Sequence, residues 1–361
     1  MPPPSSRILV RGVNWLGDAV LSMPAVQGLR RAHPQAHLTM LCPGKLVDLW
    51  AAHPDVNETF VISPGDGMAK TMARVRRGNF DTAVVFPNST RSALEPFLAG
   101  VPRRIGLRGR GRGLLLTDPI DPPPEAVPMR KRTDAEINSL IRDPASHRQR
   151  LPSSAHHVFH YWHLVRALGA TGEPPPPRLV VDESARCAVL KKFTLGETEP
   201  IFGLNPGAEY GPAKRWPAER FVETARAVQR KKSGRWLIFG APADQSLAAE
   251  MAAAIGSSAA NLAGQTSLAE LILLLKSCRL LLTNDSGPMH LAAALGVPVV
   301  VPFGSTAPEL TGPWMAEGGR HRVLSADVPC APCFRRTCPI DFRCMRNISV
   351  DEVVSAAVAA A

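Results

Sequence analysis

Two series of alternating strand and helix patterns run along this chain of 361 residues. In the first series, the apolar run RILVRG (7–12) precedes a helical pattern that ends at Pro34, and strand patterns recur at AHLTMLCP, VNETFVIS and FDTAVVFP. The alternation starts afresh at PIFGLNPG (200–207) and continues through RWLIFGAP, RLLLTND and PVVVPFG. Strands that alternate with helices form parallel sheets covered by helices. We therefore predict an α/β protein with two doubly wound halves that face each other across a cleft.

Proline-rich stretches mark the expected domain boundaries. PPPSS stands near the start, DPPPEAVP at 121–128 and EPPPP at 173–177, and such segments are typical of loose tails and stiff connectors. The chain also exceeds the roughly 250–300 residues at which a single core stops growing. The expected organisation is a disordered tail at 1–6, an N-terminal domain at 7–180, a C-terminal domain at 181–349 and a C-terminal helix at 350–361.

The charge balance favours a partner that carries phosphates. The formal net charge is +11, and arginine, whose planar fork suits phosphate, is concentrated in VPRRIGLRGRGRG. Because no aromatic residues interleave in that stretch, a phosphate-bearing substrate fits it better than a nucleic acid does. A solvated basic surface is the alternative. The chain has neither a secretory signal pattern nor a run of about 20 apolar residues, so we expect a cytoplasmic protein, with surface contact to a membrane left open.

TNDSGPMHLAAALG (283–296) places a polar cluster between a buried strand and a helix. Asp285 and Ser286 end the strand, Gly287 permits close backbone approach, and His290 lies one turn inside the helix. The first turn of a helix offers free amides that bind anions. Helix capping by Asp285 and Ser286 is the alternative.

NPGAEYGPAKRWP (205–217) and FGAPADQ (239–245) follow two other strands of the second half. Lys214 stands just before a helix start, an arrangement typical of phosphate binding, although the GxxxxGK[ST] pattern of a P-loop is absent. Asp244 stands at the next helix start, where an acidic residue either caps the helix or binds ribose hydroxyls.

VNWLGDAVLSMPAV (13–26) follows the first strand. A dinucleotide-binding fold would place GxGxxG there, and its absence argues against a nucleotide-sugar epimerase or dehydrogenase. The segment carries Asn14 and Trp15, followed by Asp18 at the helix start. Asp18 either stabilises the helix dipole or accepts a proton from a hydroxyl nucleophile.

CAPCFRRTCPIDFRCM (330–345) contains four of the seven cysteines. Tetrahedral zinc takes four such ligands, so the spacing indicates a structural metal site, with an iron–sulfur site or plain reduced thiols as alternatives. The candidate ligands are Cys330, Cys333, Cys338 and Cys344.

The blocks NWLGDAVLSMPAV, PGAEYGPAKRWP and TNDSGPMHLAAALGVPVVVPFG, in that order, resemble glycosyltransferase family nine, the ADP-heptose:lipopolysaccharide heptosyltransferases. FPNSTRSALEPFLAGVPRRIGLRG (86–109) is also similar to that family. The resemblance implies the GT-B fold, with two Rossmann-like domains, the first binding the acceptor and the second the nucleotide sugar. It implies inverting transfer of L-glycero-D-manno-heptose from ADP-heptose to an inner-core heptose, with the ADP-sugar as co-substrate and no cofactor or metal required for the chemistry.

The resemblance also implies roles for individual residues. Asp18 matches the general base. Lys214 matches a lysine that binds the donor phosphate and takes part in catalysis. Asp244 matches the acid that binds the ribose, and Thr266 matches the residue beside the adenine. The loop of Asp285, Ser286, Gly287 and His290 matches the diphosphate and heptose site. For the acceptor, a phosphorylated lipid A-core glycolipid at the cytoplasmic face of the inner membrane, we expect contacts from Asn14, Trp15, Arg103, Arg104 and Arg108. The expected protein is a monomer that binds no nucleic acid. The main alternative is a relative that uses another acceptor or nucleotide sugar.

Overall fold

The computed structural model describes residues 6–109, 111–314 and 319–361. The described chain divides into two compact units, Met1–Ala126 with His157–Val180, and Val127–His156 with Val181–Ala361. Each unit contains one six-stranded parallel sheet, as the alternating pattern predicts. Of the tail expected at 1–6, only Ser6 lies within the described residues.

The described residues form twelve strands. They are β1 (Arg7–Arg11), β2 (His37–Pro43), β3 (Glu58–Ile62), β4 (Thr82–Val85), β5 (Arg103–Leu107), β6 (Asp118–Ile120), β7 (Ile201–Asn205), β8 (Arg235–Ile238), β9 (Ala259–Asn261), β10 (Cys278–Thr283), β11 (Val299–Pro302) and β12 (Arg322–Leu324).

The same residues form fourteen α-helices. They are α1 (Leu16–Ala32), α2 (Val47–Ala51), α3 (Met68–Arg77), α4 (Thr90–Leu98), α5 (Asp134–Arg142), α6 (His157–Arg166), α7 (Glu183–Lys192), α8 (Ala218–Gln229), α9 (Gln245–Ile255), α10 (Leu268–Ser277), α11 (Gly287–Ala294), α12 (Pro308–Thr311), α13 (Arg343–Arg346) and α14 (Val350–Ala360).

The first sheet has the strand order β3-β2-β1-β4-β5-β6, with β1 and β4 at its centre. Ile8, Leu9 and Val10 of β1 are all buried, because helices cover both faces of a parallel sheet. One covering pair, α1 and α6, meets at Gly28, where an added Cβ would lie 2.5 Å from the Trp162 ring. Only glycine therefore permits this close approach of the two helices.

The second sheet has the strand order β12-β11-β10-β7-β8-β9. β7 and β10, both buried along most of their length, are neighbours at its centre. Their carboxyl ends therefore lie side by side, the position at which open parallel sheets bind ligands. The helix expected at 350–361 is α14, and it packs against α8 of the same unit.

The segment 127–156 belongs to the second unit, whereas the prediction from the sequence assigned all of 7–180 to the N-terminal domain. Ile137 of α5 is buried in the main core of the second unit. The backbone is also fixed there, since the Arg132 amide donates to the Cys333 carbonyl at 3.0 Å and the Gln149 amide to the Ala331 carbonyl at 3.1 Å. These contacts are long-range, so a boundary placed from local composition does not capture them.

Across the described ranges, none of the helices combines the length and the apolar character that crossing a membrane requires.

Candidate functional site

Two asparagines join the strand ends of β7 and β10. Asn205 Nδ2 donates to Thr283 Oγ1 at 3.3 Å and to Ser286 Oγ at 3.2 Å. Asn284 Nδ2 donates to the Pro206 carbonyl at 2.7 Å. Both side chains are buried, where an unsatisfied amide would be costly, so these bonds fix the two loops relative to each other. Neither asparagine is among the site residues predicted from the sequence.

The predicted site residues Lys214 and Asp285 meet at this edge of the sheet. Lys214 Nζ lies 2.6 Å from Asp285 Oδ2, and the two side chains are 13% and 4% exposed. Thr306 Oγ1 donates to the same carboxylate oxygen at 2.6 Å. The Asp285 carboxylate thus holds the Lys214 ammonium group in place and also accepts a hydrogen bond from the Thr306 hydroxyl. Thr306, which follows β11, is a further residue that the sequence analysis did not identify.

Ser286 and Gly287 stand at the start of α11, which has Pro288 in its first turn. The Ser286 side chain makes no capping hydrogen bond to the helix, and the Asp285 carboxylate is held by Lys214 and Thr306. The capping alternative for these two residues is therefore wrong. His290 is buried in the first turn of the same helix.

Asp244 lies beside the Lys214 loop. An added Cβ at Gly207 would lie 2.6 Å from an Asp244 carboxylate oxygen, so glycine is needed for this approach. The carboxylate accepts from the Ala241 amide at 3.1 Å and lies 3.8 Å from Arg215 Nη2. It therefore combines a local turn contact with a position next to the other predicted residues.

Thr266 lies between β9 and α10 and is partly exposed. Two residues earlier, Gly264 has a φ of +70° and packs against Pro242, so that an added Cβ would lie 2.9 Å from the Pro242 Cα. Pro242 begins the 3₁₀ turn that ends at Asp244. The turn preceding Thr266 therefore rests on the turn that carries Asp244.

In the first unit, Asp18 lies in the first turn of α1, and Trp15 precedes the helix at its N-cap. Trp15 is 49% exposed, with Lys45 Nζ 5.1 Å from its ring centroid. Tyr161, whose ring centroid lies 5.3 Å from that of Phe86, is half-buried nearby. Burial, and secondarily the Asp18 carboxylate, raises the pKa of Tyr161 well above its usual value. The loop thus exposes Asn14 and Trp15 next to a carboxylate that lies near the half-buried Tyr161 phenol.

A buried ion pair contacts the loop between β1 and α1. Arg11 Nε donates to Glu95 Oε2 at 2.6 Å, and both side chains are almost inaccessible to solvent. Arg11 Nη1 donates to Asn14 Oδ1 at 3.5 Å and to the Gly12 carbonyl. Arg11 therefore connects the end of β1 to α4 and to the loop before Asp18.

The three arginines predicted to bind the acceptor already have partners. Arg103 Nη2 lies 3.1 Å from Asp118 Oδ1, and Arg108 Nε lies 2.6 Å from Asp121 Oδ1. Arg104 Nε donates to the Leu115 carbonyl at 2.8 Å, and its guanidinium lies 5.3 Å from the Phe97 ring centroid. Of the three, only Arg104 has no carboxylate partner within the described ranges, so it keeps the most uncompensated charge there.

The four clustered cysteines line one small cavity together with Ser305 and Arg343. Burial raises the pKa of the Cys330 and Cys333 thiols and raises that of Cys344 to about 12, which favours neutral thiols. Within the described ranges, no group of three or more His, Cys, Asp or Glu side chains is arranged to hold a metal ion. The predicted structural zinc is therefore not supported.

Comparisons with known proteins place the chain among glycosyltransferases. The family model "Glycosyltransferase family 9 (heptosyltransferase)" matches residues 133–342. Lipopolysaccharide heptosyltransferase 2 of Escherichia coli K12 is 33% identical over 341 residues, which are 89% of this chain and 91% of that protein.

Solved structures agree with the sequence comparison. E. coli ADP-heptose lipopolysaccharide heptosyltransferase II superposes with a TM-score of 0.76 at 28% identity, covering 98% of each chain. A family 9 glycosyl transferase of Veillonella parvula has a TM-score of 0.77 at 23% identity, covering 100% of this chain and 98% of its own. At 98% coverage of this chain, the first match extends over both units.

Proposed function

The chain belongs to glycosyltransferase family 9, and from that premise we propose that it transfers L-glycero-D-manno-heptose from ADP-heptose to an inner-core heptose of lipopolysaccharide. The predicted family and the predicted fold class, two parallel α/β sheets of the GT-B type, are confirmed. The substrates follow from the names of the relatives, which act on lipopolysaccharide, and from the chemistry of the site. The observation that carries the proposal is the Lys214–Asp285–Thr306 cluster at the ends of β7, β10 and β11.

The cluster suits a departing nucleoside diphosphate. When the bond between the anomeric carbon and the β-phosphate oxygen breaks, negative charge grows on that phosphate. An ammonium group already held in place stabilises this charge more than it stabilises the bound sugar nucleotide, so it lowers the barrier selectively. The role of Asp285 is then to hold Lys214 in position, and Ser286, Gly287 and His290 line the same loop against the diphosphate and heptose.

Asp244 and Thr266 are assigned to the nucleoside. A carboxylate at a helix start beyond the end of a parallel strand is well placed to accept from a ribose hydroxyl pair. The packing of Gly264 on Pro242 keeps the turn before Thr266 next to the turn of Asp244, which supports one shared nucleoside-binding surface.

Asp18 is assigned as the general base. It takes the proton from the acceptor hydroxyl as the oxygen attacks the anomeric carbon on the face opposite ADP, so the configuration inverts. Such proton transfer contributes about 10²- to 10⁴-fold to a rate. In this scheme the chain's own carboxylate and ammonium groups carry the reaction, and no bound metal takes part in a step.

The acceptor is assigned to the first unit. Trp15 offers an exposed indole face for a sugar ring, and the arginines around β5 suit the phosphates and acidic sugars of a lipid A-core acceptor. Peripheral contact with the cytoplasmic face of the inner membrane follows from the lipid part of that acceptor. An exposed apolar and basic surface of this unit supports such contact. It consists of Arg76, Phe97 and Leu98, with the half-buried Arg104 guanidinium against the Phe97 ring.

Product analysis tests the proposal. The purified protein is incubated with lipopolysaccharide acceptors truncated before and after the first heptose, and each is offered ADP-heptose, ADP-glucose or UDP-glucose. Mass spectrometry should show one added heptose on the acceptor that already carries heptose, and only with ADP-heptose. Transfer from another nucleotide sugar, or to a different acceptor only, would favour the alternative of a family member with another substrate.

A further inference from the structure

Arg336 lies beside the Lys214 loop although it comes from the distant four-cysteine segment. Its guanidinium carbon lies 5.2 Å from the ring centroid of Tyr210, and Lys214 Nζ lies 4.9 Å from the same centroid. Both cations therefore lie against the same aromatic ring. The attraction of a cation to a ring face holds the charge in place without neutralising it.

Backbone contacts fix Arg336 against the loop. The Ala213 amide donates to the Arg336 carbonyl at 3.0 Å, and Tyr210 Oη donates to the Phe334 carbonyl at 2.7 Å. Gly211 has a φ of +145°, and an added Cβ there would lie 2.5 Å from the Arg336 carbonyl oxygen. The loop before Lys214 is thus shaped to receive the segment that carries Arg336.

The same segment also contacts the Asp285 side of the site. The amides of Cys333 and Phe334 donate to the Ser305 carbonyl at 3.0 and 2.7 Å. The next residue, Thr306, donates to Asp285. The cysteine segment therefore contacts the loops that follow β7 and β11. It contributes to the site through these contacts, without a metal ion.

The charges explain what Arg336 adds. Lys214 is paired with Asp285 at 2.6 Å, so this pair contributes little net positive charge, while the pyrophosphate of a nucleotide sugar is a dianion. The exposed Arg336 side chain forms no ion pair with any carboxylate among the described residues, whereas its neighbour Arg335 is paired with Asp134. A planar guanidinium binds phosphate oxygens in bidentate fashion.

We propose that Arg336 is a second cation of the pyrophosphate site, binding the diphosphate of the nucleotide sugar and of the departing ADP beside the Tyr210 ring that it shares with Lys214. This inference rests on the proposed function, because it takes a nucleoside diphosphate as the ligand. The four-cysteine segment then positions an arginine that binds phosphate.

Calorimetric titration with ADP and with adenosine tests the inference in the full chain. Loss of a charge-assisted hydrogen bond should weaken ADP binding by roughly 10- to 100-fold in Arg336→Gln. Arg336→Lys should recover part of that loss, and adenosine affinity should stay at the wild-type value. The matched control is Arg335→Gln, whose arginine is already ion-paired, and it should bind ADP like the wild type.

ADP binding by Arg336→Gln within twofold of the wild type would overturn the inference. An equal loss for ADP and adenosine would also overturn it, since a general distortion of the site would then explain the change. Should Arg336→Gln not fold, the comparison of Arg336→Lys with the wild type decides between the same two results. If the wild type itself bound no ADP, the proposed function would be at fault instead.

Discussion

Lys214 Nζ and Asp285 Oδ2 lie 2.6 Å apart at the carboxyl ends of two neighbouring strands, and both side chains are nearly buried. Each residue follows its own strand, so the pair exists only because β7 and β10 are adjacent in the sheet. A buried ion pair of this kind contributes little net stability, since desolvation offsets the attraction. Its presence at a ligand-binding edge is better explained by the need to hold an ammonium group in place.

Replacing Lys214 with Ala should weaken ADP binding and lower kcat/KM together. Losing a charge-assisted contact corresponds to roughly a 10- to 100-fold change in each. The change also leaves the Asp285 carboxylate buried without its cation, so the melting temperature should fall as well. Calorimetry, steady-state kinetics and thermal melting measure the three effects. The exposed Lys232→Ala is the control, and unchanged ADP affinity in Lys214→Ala would refute the phosphate role.

Replacing Asp18 with Asn should separate chemistry from donor binding. The amide cannot accept the proton, so kcat should fall by about 10²- to 10⁴-fold while ADP affinity stays within twofold of the wild type. The matched control is Asp48→Asn, another acidic residue in the first turn of a helix of the same unit. Near-normal turnover by Asp18→Asn would rule out Asp18 as the base.

Replacing Glu95 with Gln should destabilise the first unit. Arg11 would keep its charge in a buried position without a carboxylate, which costs roughly 3 kcal/mol of unfolding free energy. Urea unfolding measures the loss. Glu58→Gln removes a partner from much more exposed pairs and should change the stability by less than about 1 kcal/mol. Equal effects of the two changes would contradict the structural role of the buried pair.

His53 should make stability depend on pH. Its Nδ1 accepts from the Asp55 amide at 3.2 Å, and burial lowers its pKa from 6.5 to about 4. Between pH 6.5 and about pH 4, the unfolded chain therefore binds a proton at His53 that the folded chain does not bind. Stability is thus retained above about pH 6.5 and falls as the pH drops towards 4. The full loss is roughly 3 kcal/mol. Urea unfolding at pH 7 and pH 5 should show a smaller difference for His53→Asn, and an unchanged difference would contradict the assignment.

Much of the second unit's site could be predicted because strand ends carry a strong local signal. Buried strands next to Lys214 and Asp285 placed both residues at one sheet edge, where they are found. Thr306 was not predicted because its hydrogen bond to Asp285 depends on the adjacency of β10 and β11, which no local sequence pattern reveals. Arg336 escaped notice for a related reason, since its contact with Tyr210 joins segments far apart in the chain.

The cysteine segment and residues 127–156 show where local patterns fail. The spacing of the four cysteines indicated a metal site, yet their side chains line a small cavity in no metal-binding arrangement among the described residues. The place of residues 127–156 in the second unit depends on long-range bonds such as that from Arg132 to Cys333. In both cases, tertiary contacts determine the outcome.

The most direct test of the account is acceptor-dependent release of ADP from ADP-heptose by the purified wild-type chain. The account predicts that ADP appears only when a heptose-bearing lipopolysaccharide acceptor is present, with one ADP released for each heptose gained. Absence of ADP release with every such acceptor, or release at the same rate without an acceptor, would contradict it.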